Sequence, residues 1–259
     1  MNEARPAPDP RFSGLARLYG DEGLARLKRA RVAVVGIGGV GTWVAESLAR
    51  SAIGQIDLID LDDICATNTN RQLHALTTTV GQFKAHAMAE RIRTINPDVD
   101  ARPVIDFFTA KTAEALVTPD LDFVVDAIDS AENKCLLAVR CQELGIPLII
   151  VGGAGGRRDP TRVQTGDLTE SEGDRLLARV RKQLRQKHGF SRKGRWGIPC
   201  VFSAEEQVFP DGDGGVCENR AEADNLRLDC ATGFGTTSFI TGTFGLIAAS
   251  IVVNRIAAT

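Results

Sequence analysis

None of the six cysteines in this 259-residue chain stands in a C-x-x-C pair. The strongest local sign of a structural zinc site is therefore missing, and no zinc is expected. An excess of one charge is missing too. The 31 Lys and Arg residues against 33 Asp and Glu leave a formal charge of −2, so no global basic field exists and a nucleic-acid partner would have to meet a local patch. The opening "MNEARPAPDPRF" carries prolines and acids where a secretory signal needs an apolar core. A cytoplasmic protein with a disordered first ten residues and no disulfides is the expectation. Neither G-x-x-x-x-G-K-[ST] nor H-E-x-x-H occurs, which sets aside P-loop and zincin chemistries, and no repeat is seen. One segment, Gly233 to Asn254, is long and uncharged enough to suggest a membrane span. Its Thr, Ser and Gly content, without flanking basic clusters, predicts a buried helix and no membrane.

From Arg31 onward, apolar runs of strand length alternate with segments of helical spacing. "RVAVVG", "QIDLID", Ala101 to Ile105, "LDFVVDA" and "IPLIIVGG" read as strands; "VGTWVAESLARSA", "VGQFKAHAMAERIRTIN", Lys111 to Leu116 and "ENKCLLAVRCQELG" read as helices. Such alternation predicts a Rossmann-like, doubly wound α/β fold with a mainly parallel sheet, whose ligands bind at the carboxyl ends of the strands. The pattern loses its regularity after Gly156, where one helix in "ESEGDRLLARVRKQLRQKHG" and a strand in "GIPCVFSAE" precede the apolar C-terminal segment. The expected organisation is an N-terminal arm and helix (1–30), a nucleotide-binding part (31–156) and an irregular substrate-side part of the same domain (157–259).

The stretch "VVGIGGVGTW" sets Gly36, Gly38 and Gly41, with Gly39 between them, in the G-x-G-x-x-G pattern between a strand and a helix. Such a turn brings backbone N–H groups and a helix N-terminus to phosphate. Asp60, at the end of the second strand with Asp62 just beyond, stands at the distance expected of a ribose acceptor. This much fits a dinucleotide. "NTNRQ" does not: Asn68, Asn70, Arg71 and Gln72 crowd amide and guanidinium donors beside the ribose position, and Lys84 opens the next helix. Hydride transfer has no use for these charges, whereas a triphosphate attacked at its α-phosphorus does. Asp126 and Asp129 in "VVDAIDS" lie at or beyond a strand end on the same edge, where a carboxylate can hold Mg²⁺ against phosphate. Each residue also has an ordinary structural alternative: a helix cap for Asp126, an Asx turn for Asn68, a solvated helix position for Lys84.

In order and spacing, "GIGGVG", "LIDLDD", "NTNRQ", "GQFKA" and "DAIDS" resemble the E1-like adenylating family, which includes ubiquitin-activating enzymes and the adenylyltransferases of molybdopterin and thiamine synthesis. "RFSGLARLYG", "GGAGGRRDPT", "CVFSAE" and "LDCATGFGT" extend the likeness toward the family's tRNA-modifying branch. The resemblance implies that Asp60 binds the ribose of ATP, Asn68 and Arg71 its phosphates, Lys84 the α/β-phosphate region, and Asp129 the Mg²⁺. It implies a homodimer in which an N-terminal arginine reaches the neighbour's ATP. The family's Arg-Gln pair is replaced here by Gly14-Leu15, which leaves Arg11 or, preferably, Arg17 for that task. The implied reaction adenylates the carboxylate of threonylcarbamoyl-adenosine in tRNA and closes a ring with loss of AMP. The resemblance also allows Cys230 to form a thioester or carry a persulfide, with a cysteine desulfurase system as partner; a small packing cysteine is the alternative. Cys135 and Cys141 read as core. Activation of a sulfur-carrier protein, or a sulfur relay through Cys230, are the rival functions.

From Arg175 to Arg195 there are nine Lys or Arg residues and no acid. Leu176, Leu177, Val180 and Leu184 form the apolar face of a helix, so Arg175, Arg179, Lys182 and Arg185 are expected to project toward water as a track for tRNA phosphate. Arg157, Arg158 and Arg162 are the alternative track.

Overall fold

A computed structural model describes residues 9–211, 214–217 and 234–258. In chain order the main elements are α1 (Ser13–Arg29), β1 (Arg31–Val35), α2 (Gly41–Arg50), β2 (Gln55–Ile59), α3 (Lys84–Ile95), β3 (Asp100–Val104), α4 (Ala113–Leu116), β4 (Phe123–Asp126), α5 (Ala131–Leu144), β5 (Leu148–Val151), β6 (Val163–Asp167), α6 (Arg175–Lys187), β7 (Pro199–Ser203), β8 (Phe209–Pro210), β9 (Val216–Cys217) and α7 (Ser238–Ala258). Helix α1 is kinked at Gly20, which takes a φ of 73°.

Seven strands form one sheet in the order β3-β2-β1-β4-β5-β7-β6. Every pairing is parallel except that of β6 with β7. The order reverses between β1 and β4, so the connections leaving these two strands diverge and open a crevice at their carboxyl ends. Both faces of the central strands are buried, as a parallel sheet covered by helices requires. In β1, Val32 and Val34 join the core shared with α1, α2, α3 and α7, while Ala33 and Val35 join the core under α5 and α6.

The expected strands appear within two residues of their sequence bounds. The helix read from Lys111 is shorter, Ala113–Leu116, and "GQF" is a turn that leads into α3 at Lys84. Helix α7 is long and apolar enough to cross a membrane by length and composition, but half of its most apolar window is buried here. It lies against α1 and α2, with Gly242 over the Trp43 ring and Gly245 against the α2 backbone; at Gly245 a Cβ would fall 2.6 Å from Trp43 Cβ and 2.7 Å from the Val40 carbonyl oxygen. Small residues on this face are what let the helix approach so closely.

Candidate active site

The crevice between β1 and β4 is floored by the glycine turn. Gly36 takes a φ of 93°, and a Cβ on Gly41 would lie 1.8 Å from the Gly36 carbonyl oxygen, so the turn closes only with glycine at both places. Asp60, reached at the end of β2, grips the turn from the side: its Oδ2 accepts from the Ile37 N–H at 2.7 Å and its Oδ1 from the Asp62 N–H at 2.9 Å. Burial raises the Asp60 carboxyl above its usual pKa, and the Lys84 charge opposes that rise. Lys84 begins α3 with its side chain only 9% exposed and its Nζ 2.6 Å from Asp62 Oδ2. It is therefore no solvated helix residue. Asp62 is half-exposed and keeps one oxygen on the lysine.

The "NTNRQ" segment follows a single 3₁₀ turn, Ala66–Asn68. Asn68 does make the local turn that was its ordinary alternative: its Oδ1 accepts from the Cys65 N–H at 3.0 Å and the side chain is buried. Asn70 donates to the Thr236 carbonyl at 2.8 Å, while Arg71 donates to the Thr67 carbonyl and to Asn70 Oδ1. Arg71 is further held through its own carbonyl, which accepts from Trp43 Nε1 and from the Thr241 hydroxyl of α7. Arg71 Cγ would lie 3.4 Å from a Cβ on Gly39, which places the arginine stem directly on the glycine turn. Gln72 is buried with Oε1 unpaired.

His74, which sequence reasoning passed over, sits beneath the same turn. Its Nε2 lies 3.0 Å from the Ile37 carbonyl, which makes Nε2 the donor and leaves the buried Nδ1 a bare acceptor. Burial pushes its pKa down to about 4, so the ring is neutral at physiological pH.

Asp126 departs from the sequence reading. It is wholly buried at the end of β4, where Oδ1 accepts from Lys134 Nζ at 2.9 Å and from the Ile128 N–H at 3.1 Å, while Oδ2 has no partner. A carboxylate so enclosed is committed to Lys134 rather than to a metal ion. It does not cap α5 either; Ser130 does, accepting from the Asn133 N–H. Asp129, in contrast, is exposed on the loop between β4 and α5. Lys134 was detectable in principle, because it shares the buried face of α5 with Cys135, Ala138 and Cys141.

On the far side of the edge, Arg157 is buried completely. It donates to the Gly153, Ser203 and Glu205 carbonyls at 2.9, 2.6 and 2.6 Å, and its charge faces Asp174. Asp174 also caps α6 by accepting from the Leu177 N–H, and it accepts from the Gly153 N–H. Arg157 thus ties β5 and β7 to the start of α6 and cannot touch an RNA strand. Along α6, Arg175, Arg179 and Lys182 are exposed, and Arg175 stacks over the Phe209 ring. Arg185 is only half-exposed, its guanidinium 5.2 Å from the Trp196 ring centroid.

Cys135 and Cys141 are buried in the core, and burial pushes their thiols up to about 11 and about 12. Cys200 is likewise raised to about 12. Cys230 lies outside the described residues. At the N-terminus, Arg11 is engaged by Asp9 and Asp98, whereas exposed Arg17 bonds, among the described residues, to Ser13 one turn back.

A glycine turn at the switch point of a parallel sheet, held by a strand-end carboxylate and rimmed by Lys84, Arg71 and Asn70, defines a nucleotide-binding α/β protein equipped for phosphate chemistry. Comparison with known proteins narrows the class. The chain belongs to the ThiF family, whose model matches residues 12–258. It is 47% identical over 251 residues to the tRNA threonylcarbamoyladenosine dehydratase of Escherichia coli (strain K12), covering 96% of this chain and 94% of that one. The crystal structure of the E. coli enzyme TcdA in complex with ATP matches at a TM-score of 0.86 and 42% identity, over 98% of this chain and 96% of that chain. A sulfur carrier protein adenylyltransferase of Thermus thermophilus is 36% identical over 132 residues, 50% of this chain and 48% of its own length.

Proposed function

We propose that the protein is an ATP-dependent dehydratase acting on threonylcarbamoyl-adenosine in tRNA. The observation that carries this reading is the glycine turn clamped by Asp60 and faced by Lys84, in a chain that aligns almost end to end with an ATP-bound dehydratase. A carboxylate is a poor electrophile because oxide is a poor leaving group. Attack of one carboxylate oxygen on the α-phosphate of ATP expels pyrophosphate and leaves an acyl adenylate. An oxygen or nitrogen of the neighbouring carbamoyl group then attacks the acyl carbon, AMP departs with the former carboxylate oxygen, and a proton is lost. The net change is loss of water coupled to ATP cleavage. Because nucleophile and electrophile share one side chain, effective molarities of order 10⁵ M favour closure, and the protein's main tasks are positioning and neutralising charge.

In this reading Asp60 and Asp62 take the ribose side, the backbone from Gly36 to Gly41 faces the phosphates, and Asn68, Asn70, Arg71, Gln72 and Lys84 line the rim. Exposed Asp129 is the carboxylate assigned to Mg²⁺. Mg²⁺ commonly takes one or two carboxylates together with phosphate and water, and held at Asp129 it would neutralise charge on the nucleotide. A homodimer is supported by exposed Leu61, Leu76, Val80 and Phe83 near the nucleotide edge and by Leu18 on α1, with the partner's Arg17 as the preferred cation in trans. The reaction belongs in the cytoplasm with its tRNA. Sulfur transfer from a desulfurase through Cys230 stays an alternative for that residue alone.

The test is release of AMP and pyrophosphate with modified tRNA, unmodified tRNA and a Gly-Gly-ended carrier protein, assayed side by side. Turnover is expected with the modified tRNA only; turnover with the carrier alone refutes the reading.

A further inference from the structure

The side chains of Arg181, Lys182, Arg185 and Arg192, with Ala178 and Gln186, line a shallow groove of about 360 Å³ on the outer side of α6. No carboxylate lines it. Arg185 is pinned over Trp196, with its Nε buried and unpartnered. Arg181 is anchored by Ser171 Oγ and the Leu168 carbonyl, and its guanidinium is made harder to protonate, first by burial and next by the charge of Arg185. Asp174 and Glu172 offset part of the charge on Arg181 from behind, but the groove wall itself carries four cations, a local field that an anion relieves. This set differs from the one read along the helix. Arg192 comes from the loop beyond α6, whereas Arg175 and Arg179 do not line the groove.

The groove does not face the reaction edge. Helix α6 starts at that edge, where Asp174 binds both its first turn and the Gly153 N–H after β5. Arg181 and Arg185 lie seven and eleven residues further on, roughly 10 and 16 Å at 1.5 Å per residue. Trp196, against which Arg185 stacks, precedes β7 and therefore stands toward the amino edge of the sheet.

We infer that this groove holds the sugar-phosphate backbone of the RNA at a distance from the reacting residue, so that the RNA leaves the crevice and runs down α6. The inference rests on the dehydratase reading and deepens it. At ~3.4 Å of axis per phosphate in a helical strand, the descent along α6 alone spans roughly three to five phosphates, so the grip falls at least that many nucleotides from the modified base. Contacts to phosphate alone position the RNA without reading its sequence. The groove therefore serves every tRNA that carries the modification.

The experiment uses the full-length protein with Lys182→Gln, Arg185→Gln and Arg192→Gln combined. Each lost phosphate contact lowers the slope of log K against log salt by ~0.7 to 0.9, so a flattening of about 2 to 3 is expected for tRNA binding. If the electrostatic term vanishes near 1 M salt, this amounts to a loss of affinity on the order of 100-fold or more at about 0.1 M. With threonylcarbamoyl-adenosine 5′-monophosphate, which is too short to reach the groove, the wild type is expected to lose its advantage over the variant. The double variant Lys182→Gln/Arg192→Gln leaves the Trp196 stack intact and should flatten the slope by about 1.4 to 1.8. Wild-type affinity and salt slope in both variants, or an equal loss on the mononucleotide, overturns the inference. Failure of the dehydratase reading is separately visible, because the wild type then makes no AMP from modified tRNA.

Discussion

Replacing Lys134 by methionine removes the only charge among the described residues that pairs with Asp126, and both members of that pair are fully enclosed. Breaking a buried pair by deleting one partner costs about 3 to 5 kcal/mol, because the remaining charge has neither water nor counter-ion. For a chain whose total stability is of order 5 to 15 kcal/mol, that is a large share, equivalent to a fall in Tm of roughly 6 to 20 °C. The loss should depend on pH in a definite direction. Burial already holds the Asp126 carboxyl above its ordinary pKa, with Lys134 the first of the groups opposing it, so the variant's pKa rises further. A carboxyl with a raised folded pKa contributes fully below its unfolded value and loses that contribution as pH climbs through the folded value. Lys134→Met is therefore most stable in mild acid and loses about 1.4 kcal/mol per pH unit on the way up. Adding Asp126→Asn removes the stranded charge, and the double variant should recover most of the loss. Urea titrations of the three proteins between pH 5 and 8 decide the matter. A Lys134→Met variant within about 1 kcal/mol of wild type at pH 7.5, with no slope across that range, refutes the argument.

Two further outcomes follow from the same edge. Lys84→Ala is expected to slow pyrophosphate release with modified tRNA by about 100- to 1000-fold, the usual effect of removing one oriented donor from developing charge. Its melting temperature should stay close to wild type, since Asp62 is half in water and bears its charge without the lysine. His74, with its folded pKa down at about 4, binds its proton less readily than in the unfolded chain. Stability is thus lost as pH falls from about 6.5 toward 4, by roughly 3 kcal/mol in all, and His74→Gln should flatten that part of the profile.

The central strands were legible in the sequence because their runs are short, doubly buried and cut off by glycine or by helical spacing: "RVAVV" and "FVVD" have no other stable use. β6 was not legible. "VQTGD" is an edge strand, half-exposed, with glycine in it and no apolar alternation, and it exists through its ladder to β7. The hairpin of β8 and β9 has two residues on each side and no periodicity to detect. In the site, the glycine turn, Asp60 and Lys84 carry their chemistry in local spacing. The fate of Asp126 turns on a lysine eight residues later whose orientation is set by the packing of α5, and Arg157 looked like a surface cation until β5, β7 and α6 closed around it. A charge in a motif is visible in sequence, whereas its burial belongs to the tertiary structure.

The approach of α7 to the glycine turn bears on the order in which the protein can be made. Thr241 meets Gly39 and bonds to the Arg71 carbonyl, and Gly245 fits against Trp43 and Val40 at the start of α2. The floor of the crevice is thus completed by residues that leave the ribosome some two hundred positions after α2. At about 5 to 20 residues per second this is a wait of roughly 10 to 40 s. Through that interval Val44, Leu48 and Trp43 lack their cover. The crevice that faces the nucleotide is therefore complete only once α7 has been made and has packed on α2.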